Sequence, residues 1–276
     1  MPTTASHLLS DSEGSLAGAG CPTPRGDACL LLAHALDISC ETLLSNPTII
    51  VSDETVDRFQ AFVARRARRE PTPYITGSCS FRHLRLAVDE RVLVPRIETE
   101  LVVEAGIQLP RGTRVVDIGT GCGAVALAVK NERPDLTVNA TDISEPALEV
   151  ARANGARLNL EVNWQQANLL EGVADVFDAV LANIPYYPAD LPAPLAPELM
   201  EHEPALAIFT ASDALALIRT LVNQIAGCTR VVTVALEIAV GQGGDVAELL
   251  LDAGFSCVER KIDLTGAERG VIAHKA

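Results

Sequence analysis

From Val115 the chain runs through an apolar stretch, Val115-Val116-Asp117-Ile118, straight into Gly119-Thr120-Gly121-Cys122-Gly123 and then an apolar helical pattern. Glycines let the backbone turn tightly and approach a ligand closely, and the carboxyl ends of strands in open α/β sheets are where ligands bind. Asp142 closes the next strand pattern, Thr137-Val-Asn-Ala-Thr141, about twenty residues further on. An acidic residue there can accept hydrogen bonds from both hydroxyls of a ribose. It could instead cap the helix that opens at Glu145-Pro146. Taken together, the glycine turn and Asp142 point to a nucleoside-bearing cofactor. The spacing G-T-G-x-G lacks the third glycine of G-x-G-x-x-G, which argues against a nicotinamide dinucleotide.

These residues need strands and helices in strict alternation to hold them, and the sequence supplies them. Segments reading VVDIG, TVNATDI, FDAVLANIP and RVVTVALEIA alternate with helical stretches AVALAVKNE and EPALEVARANGARL, which predicts a parallel sheet covered on both faces. Upstream, Ala28, Leu31, Leu32 and Ala35 recur at helical spacing. Val56, Phe59, Phe62 and Val63 mark a second helix that starts at Ser52. Residues 80 to 94 alternate as a hairpin, with Asp89-Glu90 at the expected turn. The expected organisation is a flexible Ser/Gly-rich tail over 1–25, a helical domain that grips substrate or lids the site over 26–75, a β-hairpin linker over 76–100 and the sheet domain over 101–276.

The chain has 276 residues, and with 48% hydrophobic residues it has ample material for a core. Its 22 basic against 36 acidic side chains give a net charge of −14, which counts against broad electrostatic binding to nucleic acid. The local run Arg65, Arg66, Arg68 and Arg69 reads as the solvated end of a helix. No stretch approaches the roughly 18 apolar residues needed to cross a bilayer, and the first residues lack the layout of a signal peptide, so a cytoplasmic location is expected. The seven cysteines are scattered, with no pair or Cys/His cluster at metal-ligand spacing, so no metal is expected.

D-I-G-T-G-C-G followed by T-D-I is the pattern of S-adenosylmethionine-binding methyltransferases, which the segment closely resembles. Asn183-Ile184-Pro185-Tyr186 similarly looks like the N-[PIL]-P-[YF] signature of amino-group methyltransferases. A planar nitrogen is a poor nucleophile until acceptors hold its N–H groups and aim its lone pair, and proline stiffens the loop that does the aiming. Residues 71 to 100 then narrow the resemblance. PTPYITGSCSFRHLRLAVDERVLVPRIETE carries the Y-I-x-G, V-x-x-x-V-L-x-P-R and E-T-E landmarks of the HemK/PrmC glutamine methyltransferases. Glu203 to Leu206 (EPAL), Leu236-Glu237 and the D-L-x-G-x-x-R run from Asp263 to Arg269 fall where that family has them, so the resemblance spans about residues 27 to 276.

The resemblance implies a Rossmann-like class I methyltransferase sheet with a small N-terminal helical domain. It also implies S-adenosylmethionine as cofactor and methyl transfer to the side-chain amide of a glutamine, usually in the GGQ loop of a peptide-chain release factor. Carried over by position, Gly119, Gly121 and Gly123 would pass the methionine part of the cofactor, Asp142 would hold the ribose and Asn168 would meet the adenine. Asp117, Thr120, Ile143, Leu169 and Asn183 complete the expected cofactor-binding set. Asn183, Pro185, Tyr186 and Tyr187 would form the acceptor site, and Arg96, Glu98 and Glu100 are landmarks near the cofactor entrance. Four positions depart from the family. Ile184 replaces a proline, Tyr187 stands where an aliphatic residue is usual, Asn168 replaces Asp, and Phe209 to Leu215 replaces a glycine-rich loop. Because the departures touch the acceptor side, a small-molecule enzyme on the same fold is the competing expectation. It would methylate an amine or amide metabolite, or cyclise S-adenosylmethionine to azetidine-2-carboxylate and methylthioadenosine, with the two tyrosines offering π-faces to the sulfonium. Methylation of nucleic-acid adenine is a third expectation, against which the acidic charge counts.

Overall fold

The computed structural model describes residues 3–174, 177–190, 195–210, 212–263 and 265–275. It divides into two compact units, residues 1–78 with 195–202, and residues 79–194 with 203–276.

The first unit is helical: α1 (Ala5–Gly18), α2 (Pro24–Leu36), α3 (Cys40–Ser45), α4 (Asp53–Ala67) and α5 (Thr72–Thr76). Ser39 and Ser52 cap α3 and α4 through their side-chain oxygens, which accept from the amides of Thr42 and Thr55. The expected flexible tail is corrected here, because residues 5–18 are a helix. Ala5, Leu8, Ser12 and Leu16 fall on one buried stripe, and Ala5, Leu8 and Leu16 join the core that holds Leu31, Leu32 and Phe59. The intervening Ser and Gly residues mask that i, i+4, i+8 spacing.

The arginine run is also corrected in part. Arg66 is only 3% exposed. Its guanidinium pairs with Asp27 at 3.0 Å and with Glu198 at 2.8 Å, and Arg69 holds the other oxygen of Glu198 at 2.6 Å. A buried charge is tolerable when paired in this way. Thr72 donates to the second oxygen of Asp27 at 2.8 Å, which completes the network.

In the second unit, β1 (Ser78–Phe81) and β2 (Leu84–Ala87) form a two-stranded sheet. The tight connection is Arg82-His83, with Arg82 at φ 48°, and no strand follows Asp89-Glu90. Asp89 instead closes a local turn by accepting from the Arg91 amide at 3.0 Å, so Val92 and Val94 are buried without being in a strand.

The rest follows as α6 (Glu100–Ile107), β3 (Arg114–Ile118), α7 (Ala124–Glu132), β4 (Thr137–Asp142), α8 (Glu145–Leu158), β5 (Asn163–Gln166), β6 (Ala179–Ala182) and β7 (Tyr187–Pro188). After α9 (Pro197–Glu201), which lies in the segment assigned to the helical unit, come α10 (Ala205–Ile208), β8 (Phe209–Thr210) and α11 (Ala216–Ala226). β9 (Thr233–Glu237), α12 (Gly243–Asp252), β10 (Cys257–Ile262) and β11 (Glu268–His274) complete the chain.

Seven strands form the central sheet in the order β10-β11-β9-β6-β3-β4-β5. Pairings among β5, β4, β3, β6 and β9 are parallel, whereas β11 runs antiparallel to β9 and β10, so the expected all-parallel sheet has an antiparallel margin. The strand order reverses between β3 and β6, where Ile118 stands opposite Ala182. That reversal opens a crevice outside the carboxyl ends of the strands. Among the described residues, no helix is long and apolar enough to cross a membrane.

Candidate active site

Each chemistry-bearing motif sits at the carboxyl end of one of four neighbouring parallel strands: the glycine turn after β3, Asp142 on β4, Asn183 after β6 and Glu237 on β9. A cleft of about 160 Å³, partly open to solvent, lies over the ends of β3, β4 and β6. Gly119, Gly121, Asp142, Ile143, Asn168, Leu169, Asn183 and Pro185 all line it. Asp117, Thr120, Gly123, Tyr186 and Tyr187 do not.

Gly119 and Gly121 have φ of 70° and 56°, a region that penalises side chains. A Cβ on Gly119 would lie 3.1 Å from Ile184 Cγ2, so the glycine turn and the Asn183 loop pack against each other with no room to spare. Ile184, the bulky substitution in that loop, is buried against the glycine turn and forms part of the cleft wall.

Asp142 is fixed from both sides. Its Oδ2 accepts from the Gly121 amide and its Oδ1 from the Ser144 amide, each at 2.9 Å. The cap of α8 is Ser144, whose Oγ accepts from the Ala147 amide at 3.3 Å. Burial raises the Asp142 carboxyl above the usual aspartate range, against those backbone hydrogen bonds. A carboxylate with lone pairs left over, on the wall of a cleft, is a ready acceptor for a diol. Leu169 takes a positive φ of 56°, and its carbonyl accepts from Thr141 Oγ1 at 3.1 Å. Asn168 is exposed, and its Nδ2 donates to Glu171 at 3.3 Å.

Asp117 works beneath the floor. Its Oδ2 accepts from Thr120 Oγ1 at 2.6 Å and from the Ala126 amide at 3.2 Å, tying the glycine turn to the start of α7. Burial pushes its carboxyl up to about 7.

On the acceptor side, Asn183 Nδ2 donates to Thr99 Oγ1 at 2.9 Å. The Tyr186 hydroxyl donates to Glu237 Oε1 at 3.1 Å, and the rings of Tyr186 and Tyr187 lie 4.9 Å apart. Burial, with Glu237 alongside, pushes the Tyr186 hydroxyl well above the ordinary tyrosine range. Tyr187 pairs with Phe209 through the short β7–β8 ladder, which links the Asn183 loop to the Phe209–Leu215 segment, within which Ala211 lies outside the described residues. The tyrosines therefore brace the loop from behind.

Thr99, Pro204, Leu206 and Ala207 are site residues that the sequence reading did not place. The landmarks E-T-E and E-P-A-L contain all but Ala207 and were the available signal. Glu203 is buried and accepts from the Val94 amide at 2.9 Å while pairing with Arg96, so EPAL fastens the VLVPR segment whose Val92 and Leu93 line the cleft. Glu100 faces Arg82 at 3.8 Å.

The PrmC N-terminal domain model matches residues 7–77, and the methyltransferase small domain model matches residues 88–196. The release factor glutamine methyltransferase of Deinococcus radiodurans is 36% identical over 98% of this chain and 98% of its own length. The chain belongs to the release factor glutamine methyltransferase family. The member from Mycolicibacterium smegmatis is 38% identical, over 94% of this chain and 93% of its own. The family match from residue 7 agrees with the helix found at 5–18.

Solved structures support the fold. The ribosomal protein L11 methylase of Lactobacillus delbrueckii subsp. bulgaricus superimposes with a TM-score of 0.51 at 20% identity, covering 72% of this chain and 99% of that one. A methyltransferase from Pyrococcus furiosus gives 0.53 at 19% identity, covering 69% and 88%. The protein is thus a methyltransferase with a Rossmann-like sheet, and membership of the family implies use of S-adenosylmethionine.

Proposed function

We propose that this chain methylates the side-chain amide nitrogen of a glutamine in a peptide-chain release factor, with Asn183 as the residue that receives the amide. The observation that carries this reading is that Asn183 lines the same cleft as Gly119, Gly121 and Asp142. The relatives, named for a release factor glutamine, favour this acceptor over a metabolite or cyclisation of the cofactor.

The residues present suit S-adenosylmethionine. Gly121 has open space where a Cβ would be, and the Asp142 carboxylate stands beside it with acceptor capacity to spare for ribose hydroxyls. Bound there, the cofactor supplies an electrophilic methyl group on a sulfonium sulfur. Asn183 Oδ1 and the backbone carbonyls at 184–185 would accept the two N–H groups of the glutamine amide and turn its lone pair toward the cleft. Held there by Asn183 and the backbone carbonyls, the amide nitrogen would be placed to take up the methyl group and give up one proton to solvent. Orientation supplies most of the acceleration in such a transfer.

The test is mass spectrometry of the purified protein incubated with S-adenosylmethionine alone and then with the release factor. The expected result is S-adenosylhomocysteine only when the release factor is present, with one glutamine of that protein heavier by one methyl. Methylthioadenosine and an azetidine amino acid formed without any acceptor would overturn it.

A further inference from the structure

Behind Asn183 lies a chain of buried polar groups that nothing above accounts for. Thr99, 4% exposed, accepts from Asn183 Nδ2. Glu237 is 2% exposed at the end of β9, and strand register puts its neighbour Leu236 opposite Ala182, the residue before Asn183. Its Oε1 accepts from Tyr186, and among the described residues its Oε2 has no hydrogen-bond partner. Burial raises this carboxyl above the usual glutamate range, and the hydroxyls of Thr99 and Tyr186 act the other way, favouring the charged form.

A threonine hydroxyl has one proton to give and lone pairs to receive. Here the oxygen receives the Asn183 amide, so its proton is left for an acceptor inside the protein. The candidate for that acceptor is the nearby buried Glu237 carboxylate, on which the Thr99 hydroxyl acts and whose Oε2 has no hydrogen-bond partner among the described residues. Were the Asn183 amide turned over, its oxygen would compete with Glu237 for that proton, and its NH2 group would face the cleft. A buried carboxylate is the stronger acceptor of the two.

We infer that Glu237, acting through Thr99, is a positioning residue that locks the side-chain amide of Asn183 with Nδ2 turned inward and Oδ1 presented to the cleft. This rests on the acceptor-site reading given above. It adds a reason for selectivity: a presented carbonyl oxygen receives the N–H of a glutamine amide and repels a glutamate carboxylate in the same place. Tyr186 belongs to the same device, since its hydroxyl occupies Oε1 and leaves Oε2 without a partner among the described residues.

The test uses full-length protein with S-adenosylmethionine and the release factor as acceptor, comparing Thr99→Val, Thr99→Ser and Glu237→Gln alone and in an Asn183→Ala background. Thr99→Val should lower kcat by about tenfold to a hundredfold, as expected for a misaimed acceptor. Cofactor affinity, read by calorimetry, should change by less than about twofold. Thr99→Ser, which keeps the hydroxyl, should recover most of the loss. Glu237→Gln can offer NH2 to Thr99 and reverse the polarity of the chain, so it should lower kcat in the same range and provides a second handle if Thr99→Val folds poorly. In the Asn183→Ala background, neither Thr99→Val nor Glu237→Gln should cost more than about a further twofold, because coupled residues are not additive. Equal losses with and without Asn183, or Thr99→Ser as impaired as Thr99→Val, would overturn the lock. An Asn183→Ala enzyme with wild-type kcat would instead overturn the acceptor-site reading, a distinguishable failure.

Discussion

The two sides of the cleft are built differently. On the cofactor side, beneath the ends of β3 and β4, backbone geometry does the shaping: Gly119 and Gly121 at positive φ, and Asp142 pinned by two main-chain amides. On the acceptor side, at the ends of β6 and β9, side chains hold side chains, from Asn183 to Thr99 and from Tyr186 to Glu237. Main-chain devices tolerate sequence change so long as glycines and turns survive. A side-chain relay is sensitive to each hydroxyl in it. Four departures from the family pattern nonetheless fall mostly on the acceptor side, and they leave those contacts intact: Ile184 packs on Gly119, and the Tyr187 ring lies tilted against that of Tyr186.

The comparison breaks most sharply at Asn183. Asn183→Ala should lower kcat/KM for the release factor on the order of 100-fold to 1,000-fold, the usual cost of losing one well-placed polar group in a reacting site. Cofactor affinity measured by calorimetry should hardly move. Asp142→Ala should do the reverse, weakening S-adenosylmethionine binding by about tenfold to a hundredfold, since hydrogen bonds to a charged acceptor are worth about 1.5–3 kcal/mol. If instead both variants lost affinity and turnover together, the division of labour would not hold.

Gly119→Ala probes the seam between the two sides. At φ 70°, with Ile184 Cγ2 3.1 Å from the new methyl, it should destabilise the fold by about 1–2 kcal/mol and lower the melting temperature by several degrees. An unchanged melting temperature would mean the glycine turn is not tightly packed against the Asn183 loop.

The smallest effect concerns the floor. The Asp117 carboxyl, raised to about 7 by burial, binds its proton more tightly in the folded than in the unfolded chain. Its contribution to stability is therefore fully present at low pH and is lost as pH rises from about 4 through about 7. Asp117→Asn keeps an acceptor for Thr120 and Ala126 without the titrating charge. The difference in unfolding free energy between the two proteins, followed by denaturant titration, should shift in favour of Asn as pH climbs across that window. A difference independent of pH would show that Asp117 titrates normally.

What could be read in the sequence was what is written contiguously. VVDIGTGCG, Asp142 and NIPY each carry strand, turn and chemistry within a few residues, so the sheet and the cleft wall were legible. The helix at 5–18 was hidden because its apolar stripe is diluted by Ser and Gly. β5, Asn163–Gln166, is a mostly exposed edge strand with no apolar alternation to betray it. The hairpin turn was misplaced because Asp89-Glu90 carries a stronger turn signal than Arg82-His83, although Arg82 is the residue that adopts the left-handed conformation. The hydrogen bonds from Asn183 to Thr99 and from Tyr186 to Glu237 span 84 and 51 positions of sequence, and no local pattern betrays them. Arg66 looked solvated because its two carboxylate partners lie 39 and 132 positions away.

That last pairing bears on how the protein could be taken apart. The chain leaves the helical unit near residue 78, returns to it for residues 195–202, and leaves again, so the unit is stitched from two separate lengths of polypeptide. A cut at residue 78 would not yield two finished modules. The amino-terminal fragment would keep Arg66 and Arg69 but lose the carboxylate they share, and the remainder would carry Glu198 with no cation from that pair. The helical unit is thus not a detachable cassette, and any graft of it onto another sheet must carry both stitches.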